Sequence, residues 1–211
     1  MDDPTVPEET MKTIHGEIVK INRYLGNVGA LVSLLKSSPD VAGSVLDVGC
    51  GHGGLLLELK RRLPIEAVGV DLRVPEIPIP GVRIVKADAV SEVLPNCDVA
   101  IATYLIHHLP DEDVVRLIRN IGKSCGRFVF LEPVRSVLSL ALFRMFVGPL
   151  LHPINAYDGA QTIRRAHTVP EMQALVTRAL DGSEATFQHH VAPLNIRQII
   201  DIRFHSKRES G

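Results

Sequence analysis

Cysteine is scarce in this chain, and so are the features that mark secreted, membrane-spanning or nucleic-acid-coating proteins. Only Cys50, Cys97 and Cys125 occur in 211 residues. Their odd number and lack of paired spacing exclude a disulfide framework and fit reduced thiols, as in a cytoplasmic protein. An excess of one charge is lacking too. The chain has 23 Lys and Arg against 24 Asp and Glu, a net charge of −1, so no global field draws in nucleic acid or an anionic membrane. The longest apolar run, Val137 to Leu151, carries Arg144 in its middle and falls short of the roughly 20 residues a membrane span needs. No charged-then-apolar segment opens the sequence, so no secretory leader is expected. Internal repeats and low-complexity tracts are lacking. His107-His108 and His189-His190 are adjacent pairs, which on a strand point to opposite faces, so no metal site is expected from them.

What the chain does have is a glycine-dense turn. An apolar run ends in Asp47, Gly49, Cys50, Gly51, Gly53 and Gly54 follow closely, and Leu55 to Leu63 read as a helix. This is the strand–turn–helix element that opens a nucleotide-type α/β domain, with bare backbone lying close to a ligand and helix-start amides facing it. Gly49, Gly51 and Gly54 satisfy the dinucleotide spacing G-x-G-x-x-G, and Asp47-x-Gly49-x-Gly51-x-Gly53 satisfies the loop of class I S-adenosylmethionine (SAM) methyltransferases. Charge separates the two: an acid two residues before the first glycine is a poor neighbour for pyrophosphate and a good one for a sulfonium and an ammonium.

The rest of the chain alternates as one domain of this kind. Apolar positions from Thr10 to Lys36 recur every three or four residues, a helical pattern, with Gly26 and Gly29 suggesting a break into two helices. Glu66 to Val70 form a second strand ending at Asp71, 22 residues past Gly49, where an acid binds the hydroxyls of a ribose. A solvated turn is the structural alternative. Pro75, Pro78 and Pro80 then forbid an ordinary helix, so this crossover is abbreviated to a loop. Val82 to Lys86 make a third strand and Cys97 to Ala102 a fourth, nearly continuously apolar as a central parallel strand is. Asp111 is expected to cap a helix to Lys123, before a fifth strand, Arg127 to Leu131.

Ser136 to Leu151 read as a helix apolar all round, which must bury more than one face, as a lid over a substrate, a homodimer interface or core. His152 to Arg165 read as a loop turning at Tyr157-Asp158-Gly159. Thr168-Val169-Pro170-Glu171 is a helix start, and Glu184–Val191 with Asn195–Phe204 are expected to close the sheet as an antiparallel pair. A dinucleotide fold would continue in parallel units instead.

Taken together, Asp47–Gly53, Asp71, Asp88-Ala89, Thr103–Pro110 and Gly126–Glu132 resemble the successive motifs of class I SAM-dependent methyltransferases. The outer parts, Asn22 to Gly26 and Tyr157 to Ala166, are similar to a bacterial subgroup that acts on small molecules. The resemblance implies a Rossmann-like α/β fold with a seven-stranded, mostly parallel sheet and a C-terminal antiparallel hairpin. It implies an N-terminal helical cap over 1–40, a SAM-binding core over 44–132, a lid insertion over 133–167 and a closing helix and hairpin over 168–205. Gly49, Cys50 and Gly51 would line the methionine portion through their backbones, with Asp47 orienting its ammonium. Asp71 would meet the ribose, Asp88 and Ala89 the adenine, and Thr103 the sulfonium, with Leu72 also lining the cofactor. Asp88 reads equally as a turn cap.

The implied reaction is O-methylation of an aromatic or polyketide-like acceptor, releasing S-adenosylhomocysteine. Tyr24, Tyr104 and His152 are expected on the acceptor side. A base at neutral pH points to histidine. His108 is the expected catalytic residue, with Glu132 at the end of the fifth strand as the alternative base, and packing or capping as the structural alternative for both. Thr103-Tyr104-Leu105-Ile106 lacks the Asn/Asp-Pro-Pro-aromatic run of enzymes that methylate nucleobase amines. An NAD-type oxidoreductase and a SAM-binding protein without chemistry are the competing readings.

Overall fold

The computed structural model describes residues 17, 20, 25–36, 43–75 and 80–204. Seven strands form one sheet in the order β3-β2-β1-β4-β5-β7-β6. These are β1 (Ser44–Val48), β2 (Glu66–Asp71), β3 (Arg83–Lys86), β4 (Cys97–Thr103), β5 (Cys125–Pro133), β6 (Thr186–Val191) and β7 (Arg197–Arg203). The first five run parallel, while β7 lies antiparallel to both β5 and β6. The closing hairpin and the mostly parallel sheet are those read from the sequence; of the expected loop between β2 and β3, residues 76–79 lie outside the described residues. Residues 72–75 and 80–82 are non-helical.

Alternation along the buried strands sorts the core into two layers. Leu46, Ala100, Ala102, Phe128 and Phe130 face one way, onto α3 (Asp111–Ile121) and α6 (Val169–Leu180). Val45, Val99, Ile101, Val129 and Leu131 face the other, onto α1 (Asn27–Lys36) and α2 (Gly54–Lys60). A buried ion pair, Arg127 Nε to Asp201 Oδ1 at 2.8 Å and Nη2 to Oδ2 at 2.7 Å, ties β5 to β7, and Arg127 Nη1 reaches the Leu34 carbonyl of α1. The start of α6 is a capping box between Thr168 and Glu171.

Several elements differ from the sequence reading. Gly26, at φ 72°, sets the start of α1, whereas Gly29 lies inside the helix. The rest of the Thr10–Lys36 pattern lies largely outside the described residues. Asp111 is the first residue of α3 rather than its cap, a position held by Pro110. The expected helix over 136–151 is broken into α4 (Val137–Leu142), a π turn (Phe143–Val147) and a 3-10 turn (Gly148–Leu150). It buries little: Val137, Met145, Phe146 and Leu150 are 60–88 % exposed. The expected loop over 152–165 is instead α5 (Pro153–Arg165). His152 caps it and Pro153 opens it. Glu17 accepts hydrogen bonds from the His152 amide and, at 2.7 Å, from Asn155 Nδ2. Gly159 gives the Phe143 ring room, since a Cβ there would lie 2.3 Å from Cζ.

Candidate active site

The site gathers at the carboxyl ends of β1, β2, β4 and β5, where an open α/β sheet places its ligands. After β1 the chain turns through Gly49 (φ 72°), Gly51 (φ 52°) and Gly53 (φ 75°), left-handed conformations that favour glycine. The amides of Gly49 and Cys50 both donate to the Val70 carbonyl of β2, at 2.8 and 3.2 Å. A Cβ at Gly49 would lie 2.9 Å from Leu105 Cδ1, while one at Gly51 would meet nothing within 4 Å. Gly51 therefore leaves its backbone bare, and its amide donates to Asp71 Oδ2 at 2.8 Å. Asp71 Oδ1 accepts from the Arg73 amide.

Asp47 sits on β1 opposite Gly69 and is 2 % exposed. Burial first, and the nearby Asp71 second, push its pKa up to about 8. Among the described residues no cation offsets the charge of Asp47, so this buried carboxyl beside Asp71 favours a positively charged ligand. Leu72 is mostly exposed beyond them. Asp88 follows β3 and acts as a turn cap: Oδ1 accepts from the Val90 amide and Oδ2 from Ser91 Oγ, with Ala89 in the same turn.

Thr103 ends β4 opposite Leu131 of β5. Tyr104 then adopts φ 55°, and a 3-10 turn, Ile106–His108, follows. Glu132 is 1 % exposed. Its Oε1 accepts from the Ile106 amide and its Oε2 lies 2.8 Å from His107 Nδ1. His107 Nε2 is buried and without a partner. The structure thus joins Glu132 to His107, not to His108. His108 is exposed, and its ring lies tilted by 40° against that of His107, with centroids 4.0 Å apart. Partial burial of its ring, then His107 and Arg165, push its pKa down to about 4, which makes it a weak base. The parallel order of β4 and β5 brings their ends to one edge, but which of the two adjacent histidines faces Glu132 is set only by the 3-10 turn that carries them. Tyr104 hydroxyl accepts from Asn27 Nδ2, His152 heads α5, and Tyr24 lies outside the described residues. Among the described residues no group of three or more His, Cys, Asp or Glu side chains is placed to hold a metal ion.

A family model described as a methyltransferase domain matches residues 21–172. The chain belongs to the class I SAM-dependent methyltransferases. A hop (Humulus lupulus) methyltransferase named for desmethylxanthohumol 6'-O-methylation is 28 % identical over 127 residues, 55 % of this chain and 36 % of that protein. An opium poppy (Papaver somniferum) enzyme named for (R,S)-reticuline 7-O-methylation is 30 % identical over 90 residues, 40 % of this chain and 24 % of the relative. The chain thus spans roughly a quarter to a third of these two relatives. Among solved structures, the plantazolicin methyltransferase BpumL with S-adenosylhomocysteine and a pentazolic desmethyl analogue superposes with TM-score 0.71 at 13 % identity, over 94 % of this chain and 92 % of that one. Human N-acetylserotonin methyltransferase with SAM gives TM-score 0.59 at 19 % identity, over 95 % and 61 %. These likenesses establish the fold.

The methyltransferase family uses SAM, and the residues present fit it: an uncompensated buried acid, Asp47, lies beside a backbone left bare at Gly51. The antiparallel β7 likewise departs from the parallel continuation of a dinucleotide fold. No helix of the described residues is long and apolar enough to cross a membrane.

Proposed function

We propose that this protein methylates a hydroxyl oxygen of a small aromatic or polyketide-like acceptor, and that His107 removes the proton. When bound, SAM supplies an electrophilic methyl group on a sulfonium. Asp47 orients the ammonium, the backbones of Gly49, Cys50 and Gly51 lie along the methionine portion, and Asp71 takes the ribose hydroxyls. Asp88, Ala89 and Leu72 hold the adenine, and Thr103 flanks the sulfur. Glu132 fixes the imidazole with its proton on Nδ1, leaving Nε2 as the acceptor of a phenolic proton.

The observation that carries this reading is a buried imidazole tied to a carboxylate at 2.8 Å through one nitrogen and unpartnered at the other. The plant relatives, both O-methyltransferases by name, support the acceptor class. We assign cofactor binding to 44–132 and acceptor cover to 133–167, with 1–40 as a cap, 168–205 as the closing unit and His152 on the acceptor side. Reduced thiols support a cytoplasmic place and the charge balance a partner other than nucleic acid. Homodimerisation through 137–151 is the second use its apolar surface supports.

Incubation with SAM and a panel of phenols and hydroxylated polyketide-like aromatics, following S-adenosylhomocysteine release, tests the proposal. His107→Ala is expected to lower kcat by about 10²–10⁴-fold, with SAM affinity within twofold of wild type. Glu132→Gln moves in the same direction, and His108→Gln stays near wild type. Equal loss of SAM affinity and turnover in His107→Ala would make that residue scaffolding rather than a base.

A further inference from the structure

Tyr104 is an aromatic residue in the left-handed region, φ 55°. That conformation is disfavoured for a bulky side chain and persists only where the surroundings over-determine it. Two contacts do so, and a further hydrogen bond fixes one of its partners. The Tyr104 amide donates to the Leu131 carbonyl at 3.0 Å. Its hydroxyl accepts from Asn27 Nδ2 at 2.8 Å. Asn27 is itself fully buried, and its Oδ1 accepts from Arg197 Nη1 at 2.7 Å. Arg197 Nη1 also reaches the Leu25 carbonyl, while its Nε–H is buried without an acceptor. Leaving a buried donor unmatched is unfavourable, so strain and an unsatisfied donor meet at one spot.

We propose that Asn27 and Arg197 are positioning residues for the His107–Glu132 pair, acting through the strained bend at Tyr104. This rests on the reading of His107 as the base and deepens it. The bend is what turns the chain out of β4. One residue later Leu105 is seated against Gly49, two later the Ile106 amide meets Glu132 Oε1, and three later the His107 ring meets Oε2. A chain continuing as a strand would alternate faces and would not give both contacts to one carboxylate. The network also draws the start of α1, the end of β4 and the start of β7 to one point, so the base is set from three segments distant in sequence. A phenylalanine would pack as the Tyr104 ring does, which leaves the hydroxyl with the task of locking the bend.

The test uses the full chain labelled with ¹⁵N-histidine, and the His107 signals are assigned by their loss in His107→Gln. In the wild type these signals are expected to report one tautomer, with the proton on Nδ1. In Tyr104→Phe they are expected to move towards the average of two tautomers, while SAM affinity by calorimetry stays within twofold. Turnover of a phenol from the panel falls five- to fiftyfold in kcat, and Tyr104→Phe adds nothing further in a His107→Ala background. Asn27→Ser, which leaves the ring in place, shifts the same signals in the same direction and stands in for Tyr104→Phe should that variant not fold. A wild type without the Nδ1–H signature overturns the base reading and this inference together. A wild type with it, and variants whose His107 signals are unchanged or whose losses add to those of His107→Ala, overturns the positioning role alone.

Discussion

Asp47 carries the electrostatic logic of the site. Its carboxyl is enclosed at the end of β1 and its pKa is pushed to about 8, from an ordinary value of 3.8. A folded-state value above the unfolded one gives stability that is fully present below about pH 4 and is lost as pH rises towards 8. Over that window the ligand-free protein therefore loses more melting temperature than Asp47→Asn does. A cation placed beside Asp47 reverses the preference and draws its proton off. Near pH 6.5, SAM binding is expected to release up to one proton, measured as the dependence of calorimetric enthalpy on buffer ionisation enthalpy. Asp47→Asn should release none, and an unchanged proton count in that variant would remove Asp47 from the cation site. The acid and the glycines were legible in the sequence because their chemistry is local: a left-handed turn selects glycine, and burial at a strand end selects an acid only for a purpose. Which of His107 and His108 meets Glu132 was not legible. A 3-10 turn of three residues has no periodicity to read, and only the position of Glu132, 25 residues on, decides it.

At the scale of elements, the binding loop is shaped by a residue outside it. Gly69 lies on β2 opposite Asp47, and a Cβ there would stand 2.4 Å from Cys50 Sγ. Turning the sulfur aside does not fully relieve the site, because Cys50 Cβ would lie 3.0 Å and Leu56 Cδ1 3.3 Å from the same added Cβ, and the Gly49 and Cys50 amides hold the backbone on the Val70 carbonyl. Gly69→Ala is expected to cost about 1–3 kcal/mol in stability, as overpacking does, and to weaken SAM binding by displacing the loop. Cys50→Ala in the same chain removes the sulfur from the clash, so the double variant should melt above Gly69→Ala alone. If it melts no higher, the contact is not what fixes the loop. The strands and α6 were legible from alternation and capping, which are local signals. The helix α5 was not. Tyr157-Asp158-Gly159 read as a turn, and what permits the helix lies elsewhere: Glu17, 135 residues away, against its first turn, and the Phe143 ring against Gly159.

The whole molecule buries two well-separated apolar layers around its sheet and then leaves a third apolar surface in water. The segment 137–151 was expected to fold as one helix hidden on several sides, and its composition gave no sign of the π turn that breaks it. That turn and the 3-10 turn after it leave Met145 at 61 %, Phe146 at 60 % and Leu150 at 73 % exposure, with Tyr157 of α5 at 63 % nearby in sequence. Side chains so exposed bury little on folding, so replacing them costs little. Each of Met145→Gln, Phe146→Gln and Leu150→Gln should change stability by no more than about 0.5 kcal/mol, a shift of about 1–2 °C in Tm for a chain of this size. If this surface closes over the acceptor, its removal is felt only when the acceptor is bound. The triple variant should then raise the acceptor KM severalfold, with SAM affinity and sedimentation coefficient unchanged. A fall in sedimentation coefficient with KM intact would instead assign the surface to a second copy of the chain, because an interface between copies is lost whether or not an acceptor is present.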